Sequence, residues 1–204
     1  MSTLQILITK YCDDYMRIIL GSQSKSKKDI LQKAGYDFEI LPPNIDEKKI
    51  RSNDPKQLSL ALAAAKTSAL LPKISGEALL ITSDQVVLFN DAIRGKPRSG
   101  QEARVFLETA HEYPGETFTA VEVTNTATGQ RAAGLDVAKV YFKKIPPLVI
   151  SHYLAEGDLF SHAGGFAVEN PLLYPYVDRI EGSIDSIRGL PMDLTQALIE
   201  EVAK

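Results

Sequence analysis

"ALLITSDQVVLF", residues 78–89, sets two apolar runs on either side of four polar residues, Thr82 to Gln85. The flanking runs read as buried strand. The polar interruption puts a carboxylate, Asp84, and an amide, Gln85, where a strand has just left the core. A side chain held that rigidly suits chemistry on a bound molecule. In isolation, a turn residue or an Asx-type cap is the commoner explanation for such an Asp, so the rest of the chain must decide.

Upstream, "RIILG" (17–21) is a second short buried strand ending in Gly. From Ser26 the pattern predicts a helix with Ile30, Leu31 and Ala34 on one face and Gly35 as its stop. "DFEIL" (37–41) alternates like a strand and ends at Pro42-Pro43. Asp54 followed by Pro55 is an N-cap and first-turn proline, opening a helix whose expected stripe is Leu58, Leu62, Ala65 and Ala69.

Downstream of the quoted stretch, "NDA" reads as a hairpin-like turn and is followed by Gly95-Lys96-Pro97. Ser99 and Glu102 form a capping-box pattern before "QEARVFLETA". "ETFTAVEVTN", the turn "TATGQ" and "AGLDVAKVYF" predict two long antiparallel strands. A helix is expected after Pro146-Pro147, stopped by Gly157, and a last one from Asp193. Strands with interspersed helices and at least one hairpin predict a mixed α/β sheet.

With 204 residues the chain can build one large domain or two small lobes. A formal charge of -3 provides no cationic field for nucleic acid, so the lysines at 25, 27 and 28 suit a small anion. The lone Cys12 and the lack of metal-type Cys/His spacing favour a reducing compartment, most simply the cytoplasm. No apolar run is long enough to span a bilayer, and residues 1–16 read as an extension or an added strand, with residues 17–204 as a single domain.

"GSQSKSKKDIL" (21–31) gathers serine hydroxyls and ammonium groups where a strand hands over to a helix. That is either a Ser cap with solvated lysines or a cradle for phosphate, because helix N-termini attract anions. Elsewhere the polar candidates are Asp46 and Glu47 in "NIDE", Lys66, Lys96, and Glu169 in "AGGFAVEN". Each alone is more often a surface group. Together, separated carboxylates for a hard divalent ion and lysines for phosphates suggest phosphoryl chemistry on a nucleotide. No GxxxxGK[ST] or GxGxxG motif is present, which disfavours the common nucleotide folds.

In this order the pieces resemble the Maf family of nucleoside triphosphate pyrophosphatases. The family's S-x-S-P-R-R-x-x-L-L pattern is matched by Ser22 to Leu31, P-D-I-D-E by "PNIDE" (43–47), and A-x-x-K-A by "AAAKT" around Lys66. G-A-D-T-V-V corresponds to "TSDQVV", L-G-K-P to "RGKP" (94–97), A-G-x-Y-x-I-Q to "AGGFAVE", and E-R-I-E-G-S…G-L-P to "DRIEGS…GLP" (178–191). Lys27 replaces the usual arginine, exchanging a bidentate grip for a point charge, and Lys25 replaces a proline.

The resemblance implies a two-lobed mixed α/β fold around a cleft, commonly a homodimer. It implies cleavage of a nucleoside triphosphate between the α and β phosphates with a divalent metal, Mg or Mn. Asp84 would be the proton acceptor for water, with Lys27 and Lys96 as catalytic cations. Ser22, Ser24, Lys28 and Lys66 would bind the phosphates, and Glu47 with Asp84 would hold the metal. A carboxylate of ordinary acidity is a poor base at neutral pH, so Asp84 is expected to act as base, as ligand, or as both in sequence.

Positions matching Ser26, Gln85 and Glu169 separate the family's subgroups. Gln85 and Glu169 are similar to the 7-methyl-GTP-cleaving members, whereas Ser26 matches neither subgroup. A guanine edge offers two adjacent donors to a carboxylate; thymine and uracil offer acceptor, donor, acceptor. The expectation is therefore a preference for 7-methyl-GTP. The alternatives are a dTTP/UTP or broad house-cleaning pyrophosphatase and, in a different class, a non-catalytic nucleotide-binding regulator. His111, His152 and His162 form no convincing triad, and Tyr174 and Tyr176 lie in a Pro-rich insert at a cleft mouth or a dimer contact.

Overall fold

The computed structural model describes residues 16–203. Strand β1 (Arg17–Leu20) leads into helix α1 (Lys25–Lys33), then a two-residue strand β2 (Glu39–Ile40) and the long helix α2 (Pro55–Leu70). The quoted stretch is strand β3 (Ala78–Phe89), turned at Asn90-Asp91 into β4 (Ala92–Arg94) and helix α3 (Gly100–Glu108). The hairpin β5 (Gly115–Asn125) and β6 (Arg131–Phe142) follows, then α4 (Pro147–Glu156), β7 (Val177–Glu181), the short α5 (Ile184–Ile187) and α6 (Met192–Val202). The N-terminal extension expected over residues 1–16 lies, apart from Met16, outside the described residues.

The strands form one mixed sheet in the order β2-β1-β3-β5-β6-β7, with β4 also on β3. β1 is parallel to both β2 and β3, and every later pairing is antiparallel. The expected mixed α/β fold is thus observed. β3 runs unbroken through Thr82 to Gln85, pairing with β5 at every residue from Leu79 to Leu88. Asp84 therefore sits in mid-strand, not at a strand exit as its polar neighbours suggested.

The other edge of β3 is divided. Its first half pairs with β1 as far as Ile81, and its last residues pair with β4 from Val87 onward. Between them, among the described residues, no strand pairs with residues 82–86 on that side. This gap separates two lobes. One core gathers Leu20, Ile30, Leu31, Leu79, Ile81, Val121, Val123 and Leu198. The other gathers Ala103, Leu107, Val140, Phe142, Ile150 and Tyr153. The long β5–β6 hairpin contributes to both, so the lobes share one sheet.

Strand periodicity sorts the polar middle of β3 onto two faces. Ala78 and Leu80 pack on α2 through Leu70, and Thr82 continues that face by bonding Thr67 Oγ1 at 2.7 Å. The buried stripe of α2 is Ser59, Leu62, Ala63, Lys66, Thr67 and Leu70. That corrects the expected Leu58, Leu62, Ala65 and Ala69. The helix turns toward polar partners on β3, and apolar periodicity cannot register a buried Ser, Lys or Thr. "DFEIL" yields only two exposed residues of strand, Glu39 and Ile40, paired with Ile19 and Leu20 of β1. β7, unanticipated from sequence, adds to the far edge of β6.

At the end of β1, Gly21 donates its N–H to Ile81 O at 2.8 Å. A Cβ there would stand 2.6 Å from Leu70 Cδ1 and 2.8 Å from Thr82 Cγ2. Only a glycine lets the chain leave the sheet this close to β3. Gly21→Ala is expected to lower unfolding free energy by about 1–3 kcal/mol through overpacking. Urea denaturation reads this directly; an unchanged midpoint would mean that Leu70 and Thr82 yield without cost.

Candidate active site

The loop after β1 opens with Ser22, whose Oγ accepts the Ser24 N–H at 3.1 Å. Ser24 is the N-cap of α1, and its Oγ faces the Lys27 N–H at 3.4 Å. Serine capping is therefore real, and the same cap aims Lys27 across the gap in the β3 edge. Lys27 Nζ donates to the Ser83 carbonyl at 2.7 Å. That carbonyl points the same way as Ile81 O, toward the side of β3 that carries no strand here. A lysine does the work of a missing strand.

Lys27 is 7% exposed. Burial, reinforced by repulsion from Lys66 and offset by Asp84 and Glu47, lowers its pKa to about 8. Lys66, on α2, is also buried, at 8% exposure, but its partners reverse the outcome. Burial alone would lower its pKa; the charge and hydrogen bond of Asp84, then those of Glu47, outweigh burial and hold the ammonium above its ordinary range. Its Nζ donates to Asp84 Oδ1 and lies 3.0 Å from Glu47 Oε1. Glu47 reaches in from a 3-10 turn (Glu47–Lys49) that Asp46 caps by accepting the Lys48 N–H.

The opposite face of β3 carries Ser83 and Gln85. Ser83 Oγ donates to Gly189 O at 2.8 Å. Gln85 Nε2 donates to Ser186 O at 2.7 Å and Ile187 O at 3.0 Å, with Thr119 Oγ1 at 3.0 Å. Two carbonyl acceptors fix the amide orientation and commit its N–H groups to protein. Gly189, at φ +97, brings the 186–190 segment against Lys27, where a Cβ would meet Lys27 Cε at 3.1 Å. Segment 186–190, Gln85 and Lys27 are thus mutually packed.

The structure therefore joins Ser22, Ser24, Lys27, Lys66, Asp84, Glu47 and Gln85 around the gap. Lys96 stands exposed on the loop after β4, on the other lobe, close enough for its charge to disfavour the Lys27 ammonium. Ser26 and Lys28 are half-buried on the first turn of α1. Glu169 is exposed, and its Oε1 accepts from Arg188 Nε at 2.8 Å. Arg188, Ser83, Thr119 and Ser186 were not singled out from sequence. For Ser83 a signal existed, because alternate residues of "TSDQ" must face opposite sides of a strand.

His162 pairs with Asp158 Oδ2 at 3.1 Å, and His111 and His152 are exposed. Tyr174 is 62% exposed, whereas Tyr176 packs against the second core. Two surface concavities, about 500 Å³ beside Arg98 and Glu102 and about 560 Å³ beside Glu77 and Arg131, are lined by other residues.

A family model described as "Maf-like protein" matches residues 17–202. A relative from Dictyostelium discoideum, named 7-methyl-GTP pyrophosphatase, is 38% identical over 92% of this chain and 98% of its own length. A Synechococcus sp. (strain JA-2-3B'a(2-13)) relative named nucleoside triphosphate pyrophosphatase is 31% identical over 91% of this chain and 93% of its own. One from Alkaliphilus metalliredigens, named dTTP/UTP pyrophosphatase, is 31% identical over 86% and 91%.

With its pKa lowered to about 8, Lys27 is a cation below that pH and loses its proton as pH rises through it. In ¹³C-lysine NMR, one Cε resonance should titrate near pH 8 and vanish in Lys27→Arg. If every lysine titrates in the ordinary range, burial of this ammonium is not as drawn.

Proposed function

The chain belongs to the Maf-like protein family, and from that premise we propose that it hydrolyses nucleoside triphosphates to a nucleoside monophosphate and pyrophosphate. The observation that carries this reading is the Lys66 ammonium held between Asp84 and Glu47, with a second buried ammonium, Lys27, beside them. Two desolvated cations and two carboxylates at an open sheet edge exceed what folding alone requires.

Asp84 Oδ1 is taken by Lys66, while Oδ2 has no hydrogen-bond partner among the described residues. Oδ2 accepts the proton as water forms its bond to phosphorus. The phosphoanhydride bond breaks, and its electron pair leaves on pyrophosphate. Lys27 meets the developing charge from within the site, and Lys96 and Lys28 meet it from the rim. Ser22 retains a hydroxyl proton for a phosphate oxygen, since its Oγ serves Ser24 only as acceptor.

Lys27, Lys66, Asp84 and Glu47 together sum to no net charge. A triphosphate therefore needs more positive charge than this cluster supplies. Glu47 and Asp84 present hard carboxylate oxygens suited to Mg or Mn, those not engaged by Lys66 being open. Among the described residues no group of three or more His, Cys, Asp or Glu could hold a metal, so substrate phosphates and water would complete the shell. When bound, the ion supplies Lewis-acid charge to the phosphates.

The base follows from the committed amide. Gln85 has spent its donors, leaving Oε1 as the group it can offer a ligand, and Glu169 offers Oε2. Both positions are acceptors. They match guanine's N1–H and 2-amino donors, and they oppose the carbonyls of thymine and uracil at roughly 1–3 kcal/mol per unpaired group. N7 methylation adds a positive charge that Glu169 attracts. This supports 7-methyl-GTP as the preferred substrate. The cytoplasm and a homodimer belong to the same reading; among the described residues no helix is long and apolar enough to cross a membrane.

Pyrophosphate release from 7-methyl-GTP, GTP, UTP and dTTP tests this, with 7-methyl-GTP expected first. A clear UTP or dTTP preference would overturn the base assignment, and no release from any nucleotide would overturn the enzyme. Asp84→Asn should lower kcat roughly 10²–10⁴-fold while nucleotide still binds. Full turnover in that variant would remove Asp84 from the chemistry.

A further inference from the structure

Glu169 lies on the surface at the end of a buried pair, Ala167 and Val168, with its backbone held nearby by the Ala167 N–H to Tyr153 OH bond at 3.0 Å. Left alone, so exposed a side chain would sample many rotamers, and ordering it on a ligand would cost conformational entropy. It is not left alone. Arg188, only 12% exposed in its side chain, donates Nε to Glu169 Oε1. Its Nη2 lies 4.0 Å from Asp29 Oδ2 on α1. The backbone of Arg188 is fixed at the end of α5 by its N–H to Ile184 O at 2.9 Å, and the next residue, Gly189, accepts from Ser83 on β3.

We infer that Arg188 is a positioning residue for base recognition: it fixes Glu169 so that one carboxylate oxygen is occupied and the other is presented to the base. This rests on the pyrophosphatase reading above and goes beyond it. The planar guanidinium is suited to the task, because its donors leave in fixed directions and little freedom is lost per bond. The trio also preserves a useful charge. Asp29 and Glu169 against one Arg188 leave a single negative charge in excess, enough to attract a cationic, N7-methylated purine. Arg188 itself, turned toward two carboxylates, does not repel that base as a bare arginine would. The same residue ties the base-recognition segment to Gln85, since Ser186 and Ile187, immediately before it, accept the Gln85 amide. Both acceptors for the base are thus set by one short stretch of chain.

The test is kcat/KM for 7-methyl-GTP and for UTP in the wild type, Arg188→Met, Arg188→Lys, Glu169→Gln and the Arg188→Met/Glu169→Gln double variant, each checked by thermal melting. In Arg188→Met the ratio favouring 7-methyl-GTP should fall roughly tenfold, as for one lost charge-assisted bond. The loss should appear as a raised KM for 7-methyl-GTP, with UTP unchanged. Arg188→Lys should recover part of the ratio. In the Glu169→Gln background, adding Arg188→Met should change nothing further, because Arg188 acts through Glu169. An unchanged ratio in Arg188→Met beside a reduced one in Glu169→Gln overturns this inference and spares the base assignment. Equal losses for both nucleotides, or an unfolded Arg188→Met with no deficit in a folded Arg188→Lys, also overturn it. An unchanged ratio in Glu169→Gln sinks the base assignment itself.

Discussion

Main-chain carbonyls in a sheet need donors, and on one edge of β3 the strands that would supply them stop at Ile81 and resume at Val87. Lys27 fills part of that opening by donating to Ser83 O from the start of α1. To do so it must be desolvated, and its pKa falls to about 8. Cation, open edge and adjoining carboxylates all follow from a sheet that is continuous along β5 and interrupted along β1 and β4. The two cores lie on either side of that interruption; the middle of β3 is covered on its faces by α2 and the segment from Ser186 to Gly189 and, among the described residues, lacks only a strand along this edge.

Buried charge contributes little to stability on balance, because desolvation offsets most of the attraction between partners. The Lys66, Asp84 and Glu47 arrangement is better understood as a specification of position. α2 turns a polar stripe inward so that Thr67 meets Thr82 and Lys66 meets Asp84, two consecutive helix residues matched to one strand repeat. Once that register is set, Lys66 holds Asp84 through Oδ1. On the other face, Ser83 and Gln85 clamp the segment from Ser186 to Gly189 by its carbonyls. A single strand thereby presents Thr82 and Asp84 on one face and Ser83 and Gln85 on the other, which in the proposed function would serve phosphate chemistry and base recognition respectively.

Most elements were legible from local pattern. The Asp54-Pro55 start, the β5–β6 hairpin and the Gly157 stop after α4 all occur where expected, because caps, turns and alternation are local physics. The capping box before α3 is half right: Ser99 accepts the Glu102 N–H, but Glu102 returns its carboxylate to Arg98 N–H. The α2 stripe, the unbroken β3 and the edge strand β7 were misread or missed. In each case a polar residue is buried against a partner distant in sequence, or pairing is decided by the strand alongside.

For the site, the residue types in "TSDQVV", "AAAKT", "PNIDE" and "GSQSKSKK" nominated Asp84, Lys66, Glu47 and Lys27 only when taken together, each alone being more often a surface group, and the resemblance to a family supplied their expected roles. What each side chain does with its hydrogen bonds was settled only by folding. Gln85 could have shown a base either its donors or its acceptor, and carbonyls 101 and 102 residues away took the donors. Glu169 could have been a lone surface charge, and Arg188, 19 residues on, holds it. Sequence carries chemical identity and local geometry; saturation of donors and acceptors depends on contacts between distant segments, and those exist only once the sheet has assembled.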